Sequence, residues 1–92
     1  MVLVGLGGIY VETFHDFSMR LCPISRHDAK SMLHQLKSFG VIAQTKKAEN
    51  EIESLLVKVS RMFMDNDMKE LDLNPVIIHD GVYDAVDLRL IR

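Results

Sequence analysis

Two stretches of the chain repeat their apolar positions with the period of a helix, and the segments outside them alternate with the period of a strand. Ala29, Met32, Leu33 and Leu36 fall at i, i+3, i+4 and i+7 and so line one helix face. Ser25 with Asp28 three residues later has the form of a capping box, with Asp in the Glu place. Gly40 is expected to close this helix in a left-handed conformation. A second helix carries Ile52, Leu55, Leu56, Val59, Met62 and Phe63 on one face until Asp65-Asn66-Asp67 ends it. The polar residues 44–50 between the two helices read as a loop.

Before the helices, Ile9-Tyr10-Val11-Glu12-Thr13-Phe14 is rich in the β-branched and aromatic residues that strands favour. After the interruption at His15-Asp16, Phe17-Ser18-Met19-Arg20-Leu21 alternates with period two, which predicts a strand burying Phe17, Met19 and Leu21. Pro23 ends it, having no N–H to give to a ladder. Val2-Leu3-Val4 also reads as a strand, already under way at residue 2. It suggests a piece of a longer chain with an open edge that invites pairing. The last two strands are expected over 71–78 and 82–91, joined by Asp80-Gly81, whose type suits a two-residue hairpin turn. The order β-β-α-α-β-β describes an α+β domain, a mainly antiparallel sheet with two helices packed on one face.

Composition narrows the function classes. Ninety-two residues, 48% hydrophobic and 26% charged with a formal net charge of -2, describe one ordered domain over 1–92 rather than a disordered segment. Eleven Lys and Arg against thirteen Asp and Glu leave no basic footprint for nucleic acid. The apolar run at 1–9 is too short to span a bilayer, and no basic region precedes it as in a signal peptide. A single cysteine, Cys22, can form neither an intrachain disulfide nor a thiolate cage, and a reducing cytoplasm is the simplest compartment.

The candidate chemistry lies in Glu70-Leu71-Asp72-Leu73-Asn74-Pro75. In a strand, Glu70, Asp72 and Asn74 share a face. If the turn pairs His79 with Val82, Asn74 stands opposite Asp87 and Asp72 opposite Arg89, with Cβ atoms about 4.5–5.5 Å apart. Such hard oxygen donors suit Mg²⁺, which prefers one or two carboxylates together with water and phosphate oxygens. A solvated face with Asp72 paired to Arg89 accounts for the same residues. The proline within the strand calls for an explanation of its own.

Gly5-Leu6-Gly7-Gly8 fails the dinucleotide fingerprint, because Tyr10 stands at the last glycine's place and a strand follows. Its glycines still allow backbone N–H groups close to a ligand, although a tight turn explains them equally well. His15, His27, His34 and His79 lack ligand spacing and read as surface or rim residues. Met19, Met32 and Met62 fall at core positions, and Cys22 reads as a small buried hydrophobe.

Taken in order, Gly5-Leu6-Gly7-Gly8-Ile9-Tyr10-Val11-Glu12, Asp16-Phe17-Ser18-Met19-Arg20-Leu21-Cys22-Pro23-Ile24, Glu70-Leu71-Asp72-Leu73-Asn74-Pro75 and Ala85-Val86-Asp87-Leu88-Arg89 resemble one family nearly from end to end. The chain looks like the C-terminal part of the ATP-grasp domain of ADP-forming acetate–CoA ligases, β subunit, which are similar to succinyl-CoA synthetases. The resemblance implies Mg²⁺ and ATP or ADP as cofactors, and exchange of phosphate between nucleotide and a mobile phosphohistidine. By position it makes Asn74 and Asp87 the metal ligands and Asp72 the acid that meets the phosphohistidine. Gly7, Gly8 and Arg20 would lie near the phosphates.

The chain departs from the family where a Gly-x-Arg-Gly segment is usual and Gln44-Thr45-Lys46-Lys47 stands instead. The resemblance also implies partners: the remainder of the ATP-grasp domain and a CoA-binding ligase subunit, without which the chain is expected not to turn over. Two alternatives lie outside catalysis. One is a binding or regulatory module that completes a partner's cleft, and the other is the ATP-grasp region fused to protein acetyltransferases.

Overall fold

The computed structural model describes residues 1–5, 16–43, 45–77 and 85–92, and at 41, 42, 74–77 and 85 the backbone alone. The strand expected over 9–14, the Asp80-Gly81 turn and the pairing of His79 with Val82 lie outside the described residues. The elements are β1 (Val2–Gly5), β2 (Phe17–Arg20), α1 (Arg26–His34), α2 (Phe39–Ile42), α3 (Lys46–Asp65), β3 (Glu70–Ile77) and β4 (Ala85–Ile91). The strands form one antiparallel sheet in the order β2-β1-β4-β3. The expected α+β architecture is the one observed.

Strand alternation divides the sheet into two faces. On β4, Val86, Leu88 and Leu90 are buried, whereas Arg89 and Ile91 are exposed and Asp87 lies between those extremes. Val2 and Val4 of β1 pair with Leu90 and Leu88 and complete the buried face. Ala29, Met32 and Leu33 of α1 and Ile52, Leu56 and Phe63 of α3 close over it, forming one core. The opposite face carries no helix among the described residues.

Both long helices start on side-chain caps that satisfy otherwise unpaired N–H groups. Ser25 and Asp28 form the expected capping box, the Ser25 Oγ accepting from Asp28 N at 3.1 Å and Asp28 Oδ2 from Ser25 N at 2.9 Å. Hydrogen bonding from Ser25, its backbone N–H first, also lowers the Asp28 carboxyl pKa. Thr45 caps α3 by accepting from Ala48 N at 3.0 Å. As expected, α3 ends at Asp65, where the Asn66 side chain donates to the Met62 carbonyl at 2.8 Å and Asp67 turns left-handed with φ 51°.

Several expectations need correction. The stretch 44–50 is not a loop, because α3 begins at Lys46 and buries Ala48 and Glu49 within its first turn. Polar composition concealed a helix start whose inward positions are one small and one charged residue. Gly40 is not a left-handed stop: α1 ends at His34, capped by Gln35, and Gly40 sits inside the short helix α2.

Strand β2 presents the reverse of the expected face. Ser18 is buried and donates to the Met32 carbonyl at 2.6 Å, whereas Met19 is 43% and Leu21 76% exposed, and Phe17 is half-buried. A hydroxyl bonded to the backbone of α1 outweighs apolar content in choosing the buried side. Met62 is likewise 40% exposed, leaving Met32 as the fully buried methionine of the three proposed. Cys22 is half-buried against the core. Finally, β1 is interior, paired with β2 and β4, so Val2-Leu3-Val4 offers no open edge. The motive for a cleft-completing module falls with it.

The seam between α1 and α3 holds two buried carboxylates one helical turn apart. Glu53 accepts from Arg26 Nε at 2.9 Å. Glu49 lies 3.4 Å from His34, 3.7 Å from Lys46 and 3.9 Å from Lys30. Its neighbours Glu53, His34 and Lys46, in that order, hold the Glu49 pKa below the usual glutamate value, and burial opposes the shift. Because folding lowers this pKa, the stability it contributes is complete above pH 4.5 and is lost as pH falls through the lowered value. Urea midpoints measured from about pH 6 to about pH 3 should therefore fall, with Glu49→Gln falling less. Equal slopes for the two proteins would remove Glu49 from the account.

Candidate functional site

The helix-free face of the sheet is organised in rows set by the strand register. Phe17, Gly5 and Asp87 stand abreast on β2, β1 and β4. The next row reads Met19, Leu3, Arg89 and Asp72. Glu70 and Ile91 pair in the row beyond. An apolar strip from β2 and β1 thus meets a charged strip from β4 and β3. Gly5, itself buried, adds no side chain beside Asp87.

Asp72 and Arg89 meet as the hairpin register predicts. The Arg89 Nη2 donates to Asp72 Oδ2 at 3.1 Å with both side chains about half exposed, and this bond raises the Arg89 pKa further. The solvated ion pair is therefore real. It engages one carboxylate oxygen and leaves the Oδ1 of Asp72 for another donor.

Around Asn74 the predicted register changes. Leu73 pairs with Leu88, but the next pairs are Val76 with Val86 and Ile77 with Ala85. Two residues of β3, Asn74 and Pro75, therefore oppose the single residue Asp87. This is a β-bulge. It suits the proline, because bulges and edge strands such as β3 are the places in a sheet where a missing N–H costs no ladder bond. Asn74 and Asp87 do fall in the same interval of the ladder, although not as a simple facing pair.

The remaining candidates stand elsewhere. Arg20 shares the buried side of β2 with Ser18, its Nη1 donating to the Met19 carbonyl at 2.8 Å and its Nη2 to the Ser31 Oγ of α1 at 3.1 Å. It ties the sheet edge to a helix and is not brought to the row of Asp87. Gly7 and Gly8 lie outside the described residues.

Sequence reasoning overlooked Asp16. Its carboxylate is 3% exposed and accepts from the backbone N–H groups of Lys37 at 2.6 Å and Ser38 at 2.9 Å. It clamps the turn between α1 and α2 to the start of β2, beside Phe17 and Gly5. The only available signal was an acid immediately before an apolar strand.

The donor chemistry of the bulge fits a hard divalent cation. A carboxylate and an amide oxygen are the ligand types Mg²⁺ takes from protein, the rest of its shell being water and phosphate oxygen. Among the described residues, no group of three or more His, Cys, Asp and Glu side chains could by itself hold a metal. Also among them, no helix is long and apolar enough to cross a membrane.

Known proteins are similar to this chain in sequence and fold. The acetate–CoA ligase [ADP-forming] I of Archaeoglobus fulgidus is 33% identical over 96 residues, covering 99% of this chain and 14% of the relative. The β subunit of acetate–CoA ligase [ADP-forming] I from Pyrococcus furiosus is 33% identical over 95 residues, 98% of this chain and 41% of the relative. The chain thus spans less than half the length of these relatives. Among solved structures, acetyl-coenzyme A synthetase 1 of Ca. Korarchaeum cryptofilum, in complex with coenzyme A and Mg-AMPPCP, matches with a TM-score of 0.70 and 29% identity over 99% of this chain and 46% of that one. Its phosphohistidine segment is described as pointing towards the nucleotide binding site. Residues 1–91 match the family model of the ATP-grasp domain, and to that family the chain belongs.

Proposed function

We propose that this chain supplies the magnesium-binding sheet face of a nucleotide site in an ADP-forming acyl-CoA ligase. Asn74 and Asp87 would hold the ion, and Asp72 would receive the phosphohistidine. The observation that carries this is the bulge, which brings Asn74 and Asp87 into one interval of the ladder. Similarity to a synthetase solved with Mg-AMPPCP supports the same ligand class. Bound Mg²⁺ would neutralise charge on the transferring phosphoryl group.

The chain's own groups would bind and orient. Asp72, fixed by Arg89 through one oxygen, can accept an imidazole N–H through the other and so hold the ring in a single tautomer. The apolar strip of Leu3, Phe17 and Met19 would exclude water beside the phosphates. The overall reaction, in which acid, CoA and ATP give acyl-CoA, ADP and phosphate, would need the remainder of the ATP-grasp domain and a CoA-binding ligase subunit. A reducing cytoplasm suits such chemistry.

A titration of the ¹⁵N-labelled chain with MgCl₂ tests the metal site. The amides of Asn74 and Asp87 should shift together, and the response should vanish in Asp87→Ala. Silence at both residues in the unmutated chain would return the face to a merely solvated one.

A further inference from the structure

The ladder between β3 and β4 is regular from Glu70↔Ile91 to Leu73↔Leu88, then skips one residue before resuming at Val76↔Val86. Had the first register continued, Pro75 would stand opposite buried Val86 and Val76 opposite Ala85. The observed arrangement instead sets Val76 against Val86 and leaves Asn74 and Pro75 to share Asp87. We propose that Pro75 is a positioning residue for the metal: it holds open the bulge that seats Asn74 beside Asp87. The proposal rests on the magnesium site described above.

Three physical points carry it. Proline has no N–H, so it can donate no ladder bond to β4 at that residue. Its ring also fixes φ near -65°, removing backbone freedom at the second bulge position. A bulge bends the strand and sharpens its twist, which re-aims neighbouring side chains as a flat ladder does not. Mg²⁺ tolerates little error in ligand placement, since its shell is close to octahedral at about 2.0–2.1 Å. A device that sets the direction of one ligand therefore matters more here than for a larger cation.

A purely structural role would be to reset the alternation so that Val76 meets Val86. Deleting Pro75 separates the two roles, because the shortened strand keeps Leu73 opposite Leu88 and Val76 opposite Val86 without a bulge. Titration of the labelled chain with MgCl₂ should show the deletion variant binding about 10-fold more weakly, the scale expected when support of a metal ligand is lost. Its cross-strand contact between Leu73 and Leu88 should persist. Equal affinity in the deletion variant and the unmutated chain would overturn the proposal.

Should the deletion prevent folding, Pro75→Val and Pro75→Gly replace it. Valine restores a donor and a strand former and should weaken binding, whereas glycine tolerates a bulge and should retain it. Equal affinities for these two would also overturn the proposal. No response in the unmutated chain would defeat the magnesium site itself, a result distinct from a normal response that survives every change at Pro75.

Discussion

Asp16→Ala is expected to lose roughly 3–6 kcal/mol of folding free energy, from two charge-assisted hydrogen bonds at about 1.5–3 kcal/mol each. The carboxylate is buried, and its two oxygens receive the N–H groups of Lys37 and Ser38. Alanine would leave both donors facing a side chain that cannot accept. Asp16→Asn keeps one acceptor oxygen and turns an NH₂ toward the second donor, so it should lose about half as much. For a domain of this size, with a total stability of about 5–14 kcal/mol, that loss is at least about a fifth of the whole. Urea unfolding followed by circular dichroism measures the difference. A loss under about 1 kcal/mol would show that the two amides find other partners. Because Phe17 stands beside Gly5 and Gly5 beside Asp87, the loss should also loosen the open-face row.

Phe63→Ala should lose about 3–5 kcal/mol through the cavity it leaves. Phe63 is completely buried between α3 and the sheet. It also organises the end of the helix. The Arg92 guanidinium lies 5.7 Å from the ring centroid, donates to the Met68 carbonyl at 2.8 Å and reaches the carbonyls of Phe63 and Met64 at 3.4 Å. Losing the ring therefore removes core volume and one side of the cradle that holds a cation at the helix C-terminus. Phe63→Leu, which keeps most of the volume, should lose less than about 1.5 kcal/mol. The denaturant midpoint should move while the slope of the transition stays unchanged. A small loss for the alanine variant would mean that the surrounding core collapses into the space.

How much of this was legible in the amino-acid order depends on what decided each element. The first helix face could be read because burial there follows a periodic apolar stripe, and Ala29, Met32, Leu33 and Leu36 are all buried; the stripe of α3 held except at Met62, which is exposed. The capping box was legible because it is local. The face of β2 was not, since it turns on a hydrogen bond from Ser18 to α1, and no period reports that contact. The start of α3 was missed because Glu49 is buried among cations that come from another helix as well as from its own first turn.

The site was half legible. The pairing of Asp72 with Arg89 followed from counting back from the hairpin, and it held up to Leu73. Counting could not reveal the bulge. Its one trace was Pro75, a residue at odds with a regular strand. Arg20 illustrates the limit of motif matching: the match gives a position, but alternation along β2 assigns the side of the sheet, and that side faces α1.

The interior place of β1 bears on how the chain reaches its structure. Val2 pairs with Leu90, so the sheet joins residues separated by nearly the whole sequence. At a synthesis rate of about 5–20 residues per second, β1 is made roughly 4–18 s before its partner β4. In that interval the local contacts of α1 and α3 can form, but among the described strands only β1 and β2 can pair. The charged strip that carries Asp72 and Asp87 is therefore the last part to be assembled, and folding should be slower than for a helical domain of the same length.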